Sequence, residues 1–320
     1  MRKVCLLGGT GFVGKHLANR LLELGWQVRI LTRRREQHRD LLVLPKLELV
    51  AANIYDQPQL NAQLAQCEVV INLIGILNEI GNDGAGFRRT HVELTQKIIT
   101  ACQTNQIQRL LHMSSLNADA KQGTSHYLRT KGEAEDLVHT VPNLFVTSFR
   151  PSVIFGEDDS FFNRLARLLR LPSPIFLLPA GQTRFAPIWV NDVIDAMILT
   201  IDDAQHYGQR YNLCGPNVYT LQELVAYTAK LIGAKRKKII SLNERKSYNI
   251  ARIMEFIPGK PYSIDNYHSG RVDSICGENN HLLQLGITPH TLEAIMPQYF
   301  QATTVRSLYS NWRCQARRDG

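Results

Sequence analysis

The chain has 320 residues, 44% of them hydrophobic, and carries a formal net charge of +9. That is enough apolar material for one large domain with a smaller one appended, and no apolar run is long enough to span a bilayer. The basic clusters, Arg33 to Arg35, Lys235 to Lys238, and Arg313 with Arg317 and Arg318, fall in no nucleic-acid-binding motif, which leaves cofactor phosphates, an acidic surface or solubility to account for the charge.

The N-terminus enters a strand rather than a signal peptide. An apolar run, Val4 to Leu7, breaks into Gly8-Gly9-Thr10-Gly11-Phe12-Val13-Gly14 and resumes as the amphipathic segment His16 to Leu24. That pattern reads as a buried strand, a tight turn and a helix. Glycine at 8, 11 and 14 suits a phosphate site. The first must turn sharply, the second must let backbone approach a pyrophosphate, and the third must let the helix lie against the strand. Free N–H groups and the dipole at the helix start favour a bound anion. A buried turn can use the same residues, but a βαβ unit at the N-terminus favours a dinucleotide.

Gln27 to Leu31 is the second strand. An acidic residue at its end would accept hydrogen bonds from the ribose of NAD(H); this chain has Thr32-Arg33-Arg34-Arg35 instead. A guanidinium pairs with the 2′-phosphate that a carboxylate repels, so Arg33 and Arg34 favour NADP(H), with NAD(H) still admissible. A solvated basic loop is the competing reading. Leu47 to Ala51 and Val69 to Ile74 are the third and fourth strands, the latter apolar apart from Asn72, as suits a strand covered on both faces. Its end, Leu73-Ile74-Gly75, should lie beneath the cofactor's ribose and nicotinamide. The loop Asn78 to Gly86 is rich in Gly and Asn and is expected to be mobile. A helix from about Arg88 to Gln103 then leads to the fifth strand, Arg109 to Met113, which ends in Ser114-Ser115. This alternation predicts an α/β fold, a Rossmann-like doubly wound parallel sheet, whose right-handed crossovers place the strand C-termini at one edge.

In His126-Tyr127-Leu128-Arg129-Thr130-Lys131, Tyr127 and Lys131 share a helix face. A neighbouring ammonium would stabilise a phenolate, letting the tyrosine exchange a proton near neutral pH. The spacing alone is common on helices and carries little. After a fifth strand in a glycine-rich βα fold, however, it gains weight. The sixth strand, Phe145 to Arg150, runs into Pro151-Ser152-Val153-Ile154-Phe155-Gly156.

These motifs together resemble the short-chain dehydrogenase/reductase superfamily in its extended and atypical branches, where GGTGFVG is a familiar form. The resemblance implies that Tyr127 and Lys131 form a catalytic pair, with Lys131 also holding the nicotinamide ribose. It implies too that Asn53-Ile54 border the adenine, and that Ser114, Pro151 and Val153 line the cofactor cleft. Two departures stand out. The hydroxyl that polarises substrate in competent members lies two residues after the first serine of the fifth strand, which here is Leu116; either Ser115 substitutes or the donor is missing. Sugar-nucleotide epimerases and dehydratases read R-x-x-N-x-x-G where this chain has Val153 in place of the Asn.

From Arg150 to Ala166, and again in Phe185-Ala186-Pro187-Ile188-Trp189-Val190-Asn191-Asp192-Val193 and Tyr211-Asn212-Leu213-Cys214-Gly215-Pro216, the chain looks like the family of the NADPH-binding accessory subunit of respiratory complex I and its epimerase/dehydratase-like bacterial relatives. That resemblance covers residues 1 to about 232. It implies bound NADPH, a peripheral position near quinone or lipid machinery, and no settled reaction.

Phe161 to Leu171 places Asn163, Arg164, Arg167 and Arg170 on one side of a helix and Phe161, Phe162, Leu165, Leu168 and Leu169 on the other. Such a helix lies on an anionic membrane, lines a greasy entrance, or packs as a lid on its own domain. Asn191 to Thr200 reads as a core helix, and Thr220 with Glu223 as a capping box. Lys235 to Lys238 reads as a solvated turn and Arg313 to Gly320 as a frayed tail. The six cysteines, at 5, 67, 102, 214, 276 and 314, show no metal-ligand spacing and read as small core residues in a reducing compartment.

The expected organisation is therefore a cofactor core over residues 1–200, with 156–185 an excursion to the substrate side, and a smaller substrate or lid domain over 201–320. The expected location is cytoplasmic, peripheral to the inner face of the membrane if the family resemblance extends that far. Three functions follow: an NADP(H)-dependent oxidoreductase acting on an apolar or quinone-like small molecule, an NADPH-binding accessory protein of a respiratory or quinone-synthesising assembly, and, last, a sugar-nucleotide epimerase or dehydratase.

Overall fold

The structure is a computed structural model that describes residues 2–234, 237–257 and 260–300. Its centre is a seven-stranded sheet of β1 (Lys3–Leu7), β2 (Gln27–Thr32), β3 (Leu47–Ala51), β4 (Val69–Asn72), β5 (Arg109–Met113), β6 (Phe145–Pro151) and β11 (Arg210–Leu213), in the order β11-β6-β5-β4-β1-β2-β3. Every pairing in it is parallel. The sheet includes residues 210–213, beyond residue 200. Successive residues of β1 enter opposite layers: Val4 and Leu6 pack with Val28, Ile30 and Ile71, while Cys5 and Leu7 pack with Leu31 and Val70. A strand buried on both faces has to be apolar throughout, which is why Val4 to Leu7 shows no alternation.

Helices α1 (Phe12–Glu23) and α8 (Val190–Thr200) cover one face. Helices α3 (Gln57–Leu64), α5 (Leu94–Thr104) and α6 (His126–His139) cover the other, and the short α2 (Arg39–Leu42) follows β2. The segment read as one helix from Arg88 has a composite start: α4 (Ala85–Arg88), a π-helical turn at Arg89–Glu93, then α5. The loop before it was expected to be mobile but is tied down. The buried Glu79 carboxylate accepts hydrogen bonds from the N–H groups of Gly84 at 2.7 Å, Gly86 at 2.8 Å and Phe87 at 3.4 Å. A buried carboxylate needs such donors, and the start of a helix supplies them.

Beyond β6 the chain builds over the strand C-termini. Three two-stranded pairings, β7 (Ile154–Phe155) with β10 (Ile188–Trp189), β9 (Arg184–Phe185) with β12 (Tyr219–Thr220), and β8 (Ile175–Leu178) with β13 (Lys238–Ser241), interleave with α7 (Ser160–Leu169), α9 (Leu221–Leu231), α10 (Glu244–Met254), α11 (Ile264–Ser269) and α12 (Leu292–Phe300). Helix α7 turns Phe162, Ala166 and Leu169 inward against Leu224 and Val225 of α9. Its apolar face is therefore consumed within the fold, and Arg167 and Arg170 face outward. The Thr220–Glu223 capping box is present. Lys238, read as part of a solvated turn, instead opens a strand paired with Ile175; Lys235 and Arg236, like Arg313 to Gly320, lie outside the described residues.

The cysteine expectation needs correction. Cys5, Cys67 and Cys102 are buried free thiols, but Cys214 and Cys276 form a disulfide. They lie 62 positions apart in the sequence, so spacing could not pair them. Cys214, just after β11, meets Cys276 because the chain from α11 onward returns across that sheet edge, where Asn280 also bonds the Cys214 backbone. Cys314 lies outside the described residues.

Candidate active site and dinucleotide cleft

The turn after β1 is built for close approach. Gly8 has φ +86°, a conformation that penalises side chains, and sits against the Leu73 backbone. A Cβ on Gly14 would lie 2.4 Å from the Gly8 carbonyl oxygen and 2.5 Å from the Gly9 Cα, so the helix could not seat. At Gly11 the same atom would meet only the Gly8 oxygen, at 3.3 Å, leaving the turn open on its outer side. Helix α1 has no side-chain cap and no acidic residue in its first turn. The Gly11 N–H closes the turn onto the Gly8 carbonyl, and the first helical N–H groups, of Phe12, Val13 and Gly14 beside Thr10, remain available to an anion. This is a cradle that side chains would fill, and it fits a pyrophosphate.

The remaining predicted residues follow the ends of successive parallel strands, the edge at which such sheets bind ligands. Arg33 and Arg34 follow β2 and are exposed, and no hydrogen bond or ion pair engages either guanidinium among the described residues. Arg35 is held differently, its Nε donating to the Leu49 carbonyl. Asn53 and Ile54 follow β3; the Asn53 side-chain oxygen accepts from the Tyr55 N–H and so shapes its own loop. Leu73, Ile74 and Gly75 follow β4, and Asn72 fixes this lip by accepting from the Ile74 N–H at 3.1 Å.

Beside the lip lies the end of β5. Ser114 is buried, and its hydroxyl has no partner among the described residues. Ser115 is half-buried; its hydroxyl donates to the Leu116 carbonyl at 3.3 Å and lies beside the Tyr127 phenol, whose pKa it lowers. Leu116 turns the other way, into an apolar cluster with Ala186 and the disulfide. Pro151 ends β6; Val153 packs on the cluster of Phe155 and Phe162. Helix α6 delivers Tyr127 and Lys131 to this place. The buried Lys131 ammonium donates to the Met113 carbonyl at 2.6 Å, and a Cβ on Gly75 would lie 3.5 Å from its Nζ.

The electrostatics differ from the expectation that Lys131 would draw Tyr127 toward phenolate. Burial pushes the phenol pKa up, Ser115 opposes it, and Asp265 raises it further. The ammonium points to the Met113 carbonyl and does not counter the desolvation. Tyr127 is thus held as a protonated donor. Burial brings Lys131 down to about 8, opposed by Glu135.

Asp265, Glu79 and His91 escaped the sequence reading. Asp265 of α11 accepts from the backbone N–H groups of His126 at 2.6 Å and Tyr127 at 3.3 Å, and Ser125 caps Leu128. A carboxylate from the C-terminal segment therefore fastens the start of the helix that carries Tyr127, stabilised by the helix dipole. Glu79 shapes the loop beside it, and His91 lies under Gly75. Nothing in local spacing marks any of the three.

The family described as "NAD dependent epimerase/dehydratase family" matches residues 4–214, well over half of the chain. The chain belongs to this family. Among relatives of this family member, the protein named "NADH dehydrogenase [ubiquinone] 1 alpha subcomplex subunit 9, mitochondrial" of Arabidopsis thaliana is 27% identical over 305 residues, covering 90% of this chain and 74% of that protein. The chain spans 59% of the Mus musculus protein of the same name. "Ceramide reductase" of Caulobacter vibrioides is 26% identical over 250 residues, 74% of this chain and 72% of that one. Among solved structures, the UDP-glucuronic acid 4-epimerase of Bacillus cereus with UDP-glucuronic acid and NAD superposes with a TM-score of 0.73 at 17% identity, over 94% of this chain and all of that one. At that identity the likeness is one of fold. Among the described residues no helix is long and apolar enough to cross a membrane.

Proposed function

We propose that this family member binds NADP(H) and acts as an oxidoreductase on an apolar, quinone-like carbonyl compound. The observation that carries the reading is Lys131 Nζ beneath the Gly75 lip, on the helix that also sets the Tyr127 phenol beside Ser115, with the glycine turn packed against the same lip at Leu73 and Ile74. When bound in that cleft, the reduced cofactor supplies hydride. Tyr127 supplies the proton, its phenol kept protonated by burial. Ser115 stands where a substrate carbonyl oxygen would also be met, replacing the hydroxyl that Leu116 lacks. Lys131 holds the ribose hydroxyls, and Ser114, Pro151 and Val153 complete the wall.

Arg33 and Arg34 support the choice of NADP(H), being exposed cations at the end of β2 whose guanidiniums have no partner among the described residues. The ceramide reductase relative supports a long-chain, apolar substrate. So does the surface beside the cleft, where Leu77 and Ile80 of one loop and Phe256 and Ile257 of another are exposed. Hydrogen bonds link these loops, Asn78 Nδ2 donating to the Lys260 carbonyl. Exposed apolar side chains on a basic protein fit a peripheral position at an anionic membrane.

A second reading, an NADPH-binding accessory protein of a respiratory assembly, is favoured by the relatives named as complex I subunits. Sugar-nucleotide chemistry ranks last, since Val153 offers a packed methyl group where an amide is needed. Oxidation of NADPH, followed at 340 nm with a short-chain quinone and a long-chain keto-lipid in micelles, separates the first two. The first reading expects turnover that Tyr127→Phe lowers about a hundredfold or more. A Tyr127→Phe protein that turns over at the wild-type rate contradicts it, and tight NADPH binding without any turnover favours the second.

A further inference from the structure

His91 is buried, and a buried histidine satisfied by its neighbours is ordinarily only part of a core. This one differs in where its bonds go. It sits in the π-helical turn Arg89–Glu93, between α4 and α5. Such a turn inserts a residue into a helix and redirects a side chain, and it recurs at functional sites. The Thr130 hydroxyl spends its proton on the His126 carbonyl at 2.8 Å. Thr130 Oγ1 therefore accepts from His91 Nδ1–H, at 2.9 Å. That leaves His91 Nε2 as an acceptor, and it takes the N–H of Ile76 at 3.2 Å.

One imidazole thus joins the lip after β4 to α6, one residue before Lys131. Its ring also meets Tyr127 edge-on, centroids 5.6 Å apart, and packs on Phe87. A Cβ on Gly75 would lie 3.7 Å from His91 Nε2 and 3.5 Å from Lys131 Nζ, so the lip passes directly over both. Burial and the nearby ammonium hold His91 down to about 2, which keeps the acceptor lone pair available.

We propose that His91 is a positioning residue for the nicotinamide half of the cofactor, fixing the Gly75–Ile76 lip relative to Tyr127 and Lys131. The proposal rests on the reading that Tyr127 and Lys131 face a bound nicotinamide. Its reach is specific: Arg33 and Arg34 follow a different strand, and the glycine turn meets the lip at Leu73 and Ile74, ahead of the Ile76 N–H that His91 holds.

The test titrates the full chain by calorimetry with NADPH and with 2′-phospho-ADP-ribose, which lacks nicotinamide. His91→Phe keeps the ring contacts and removes both hydrogen bonds; His91→Gln restores an acceptor for Ile76. His91→Phe should bind NADPH about tenfold more weakly and phospho-ADP-ribose within about twofold of wild type, with His91→Gln recovering much of the loss. Equal losses for both ligands would show a merely structural role and overturn the proposal, as would unchanged NADPH binding. Amide hydrogen exchange gives a ligand-free reading. Ile76 should exchange faster in His91→Phe than in wild type, and equal exchange overturns the tether whatever the titrations show. Wild-type protein that binds neither nucleotide overturns the underlying cofactor reading instead.

Discussion

Replacing Arg33 and Arg34 together with alanine should weaken NADPH binding about a hundredfold while moving NADH binding by less than about threefold. The two cofactors differ only in the 2′-phosphate, so any site for that group appears in the ratio and not in the common loss. Hydrogen bonds to charged groups contribute about 1.5–3 kcal/mol each when sheltered. These guanidiniums are exposed, which reduces the gain per contact. A combined loss of about 2.7 kcal/mol, equal to a hundredfold, is then reasonable for two arginines on one phosphate. Because the pair is exposed, the effect should also shrink as salt is raised, the screening length falling to about 8 Å at 0.15 M. Calorimetric titration at low and moderate ionic strength measures both. Equal losses for NADPH and NADH would remove these arginines from the phosphate site and leave them a solvated loop.

Reducing the Cys214–Cys276 bond, or replacing Cys276 with serine, should cost the fold up to about 4 kcal/mol, the chain-entropy ceiling for a crosslink closing a loop of this length. The bond has leverage on the site. It anchors the segment whose Ser274 carbonyl accepts from the Ser152 hydroxyl and the Ala186 N–H, and which connects back to Asp265 at the start of α6. Loosening it should therefore lower the melting temperature by several degrees and raise proteolytic cleavage between α11 and Cys276 before the sheet unfolds. Melting curves with and without reductant, together with a non-reducing peptide map, test this. Free thiols at 214 and 276 in protein purified without reductant would contradict it. Cys5, Cys67 and Cys102 are buried and should stay unreactive in either state.

The sequence was most readable where a physical demand is local. The glycine turn, the apolar strands and the Tyr127–Lys131 spacing each depend on residues within a few positions, and they carried the parallel sheet and the arrangement of its C-terminal edge. Adjacent residues at a strand end were harder. Counting could not decide between Ser115 and Leu116, because neighbours at such a point face opposite ways and only packing shows that Leu116 joins Ala186 and the disulfide. Least readable were the long-range ties. His91 and Thr130 are 39 residues apart, and Asp265 reaches His126 across 139. The Cys214–Cys276 bond is of the same kind, and the π-helical turn that aims His91 leaves no periodicity to detect. The direction of the Tyr127 shift depended on where Lys131 spends its charge, and the Met113 carbonyl that takes it belongs to a different element.

The central claim is that the cleft at the strand ends holds NADP(H) and no sugar nucleotide. Calorimetric titration of the purified protein with NADPH, NADH and UDP-glucose, after absorbance has checked for nucleotide carried through purification, addresses it most directly. Tight NADPH binding, weaker NADH binding and no heat with UDP-glucose are expected. Binding of UDP-glucose, or no preference for NADPH over NADH, would contradict it.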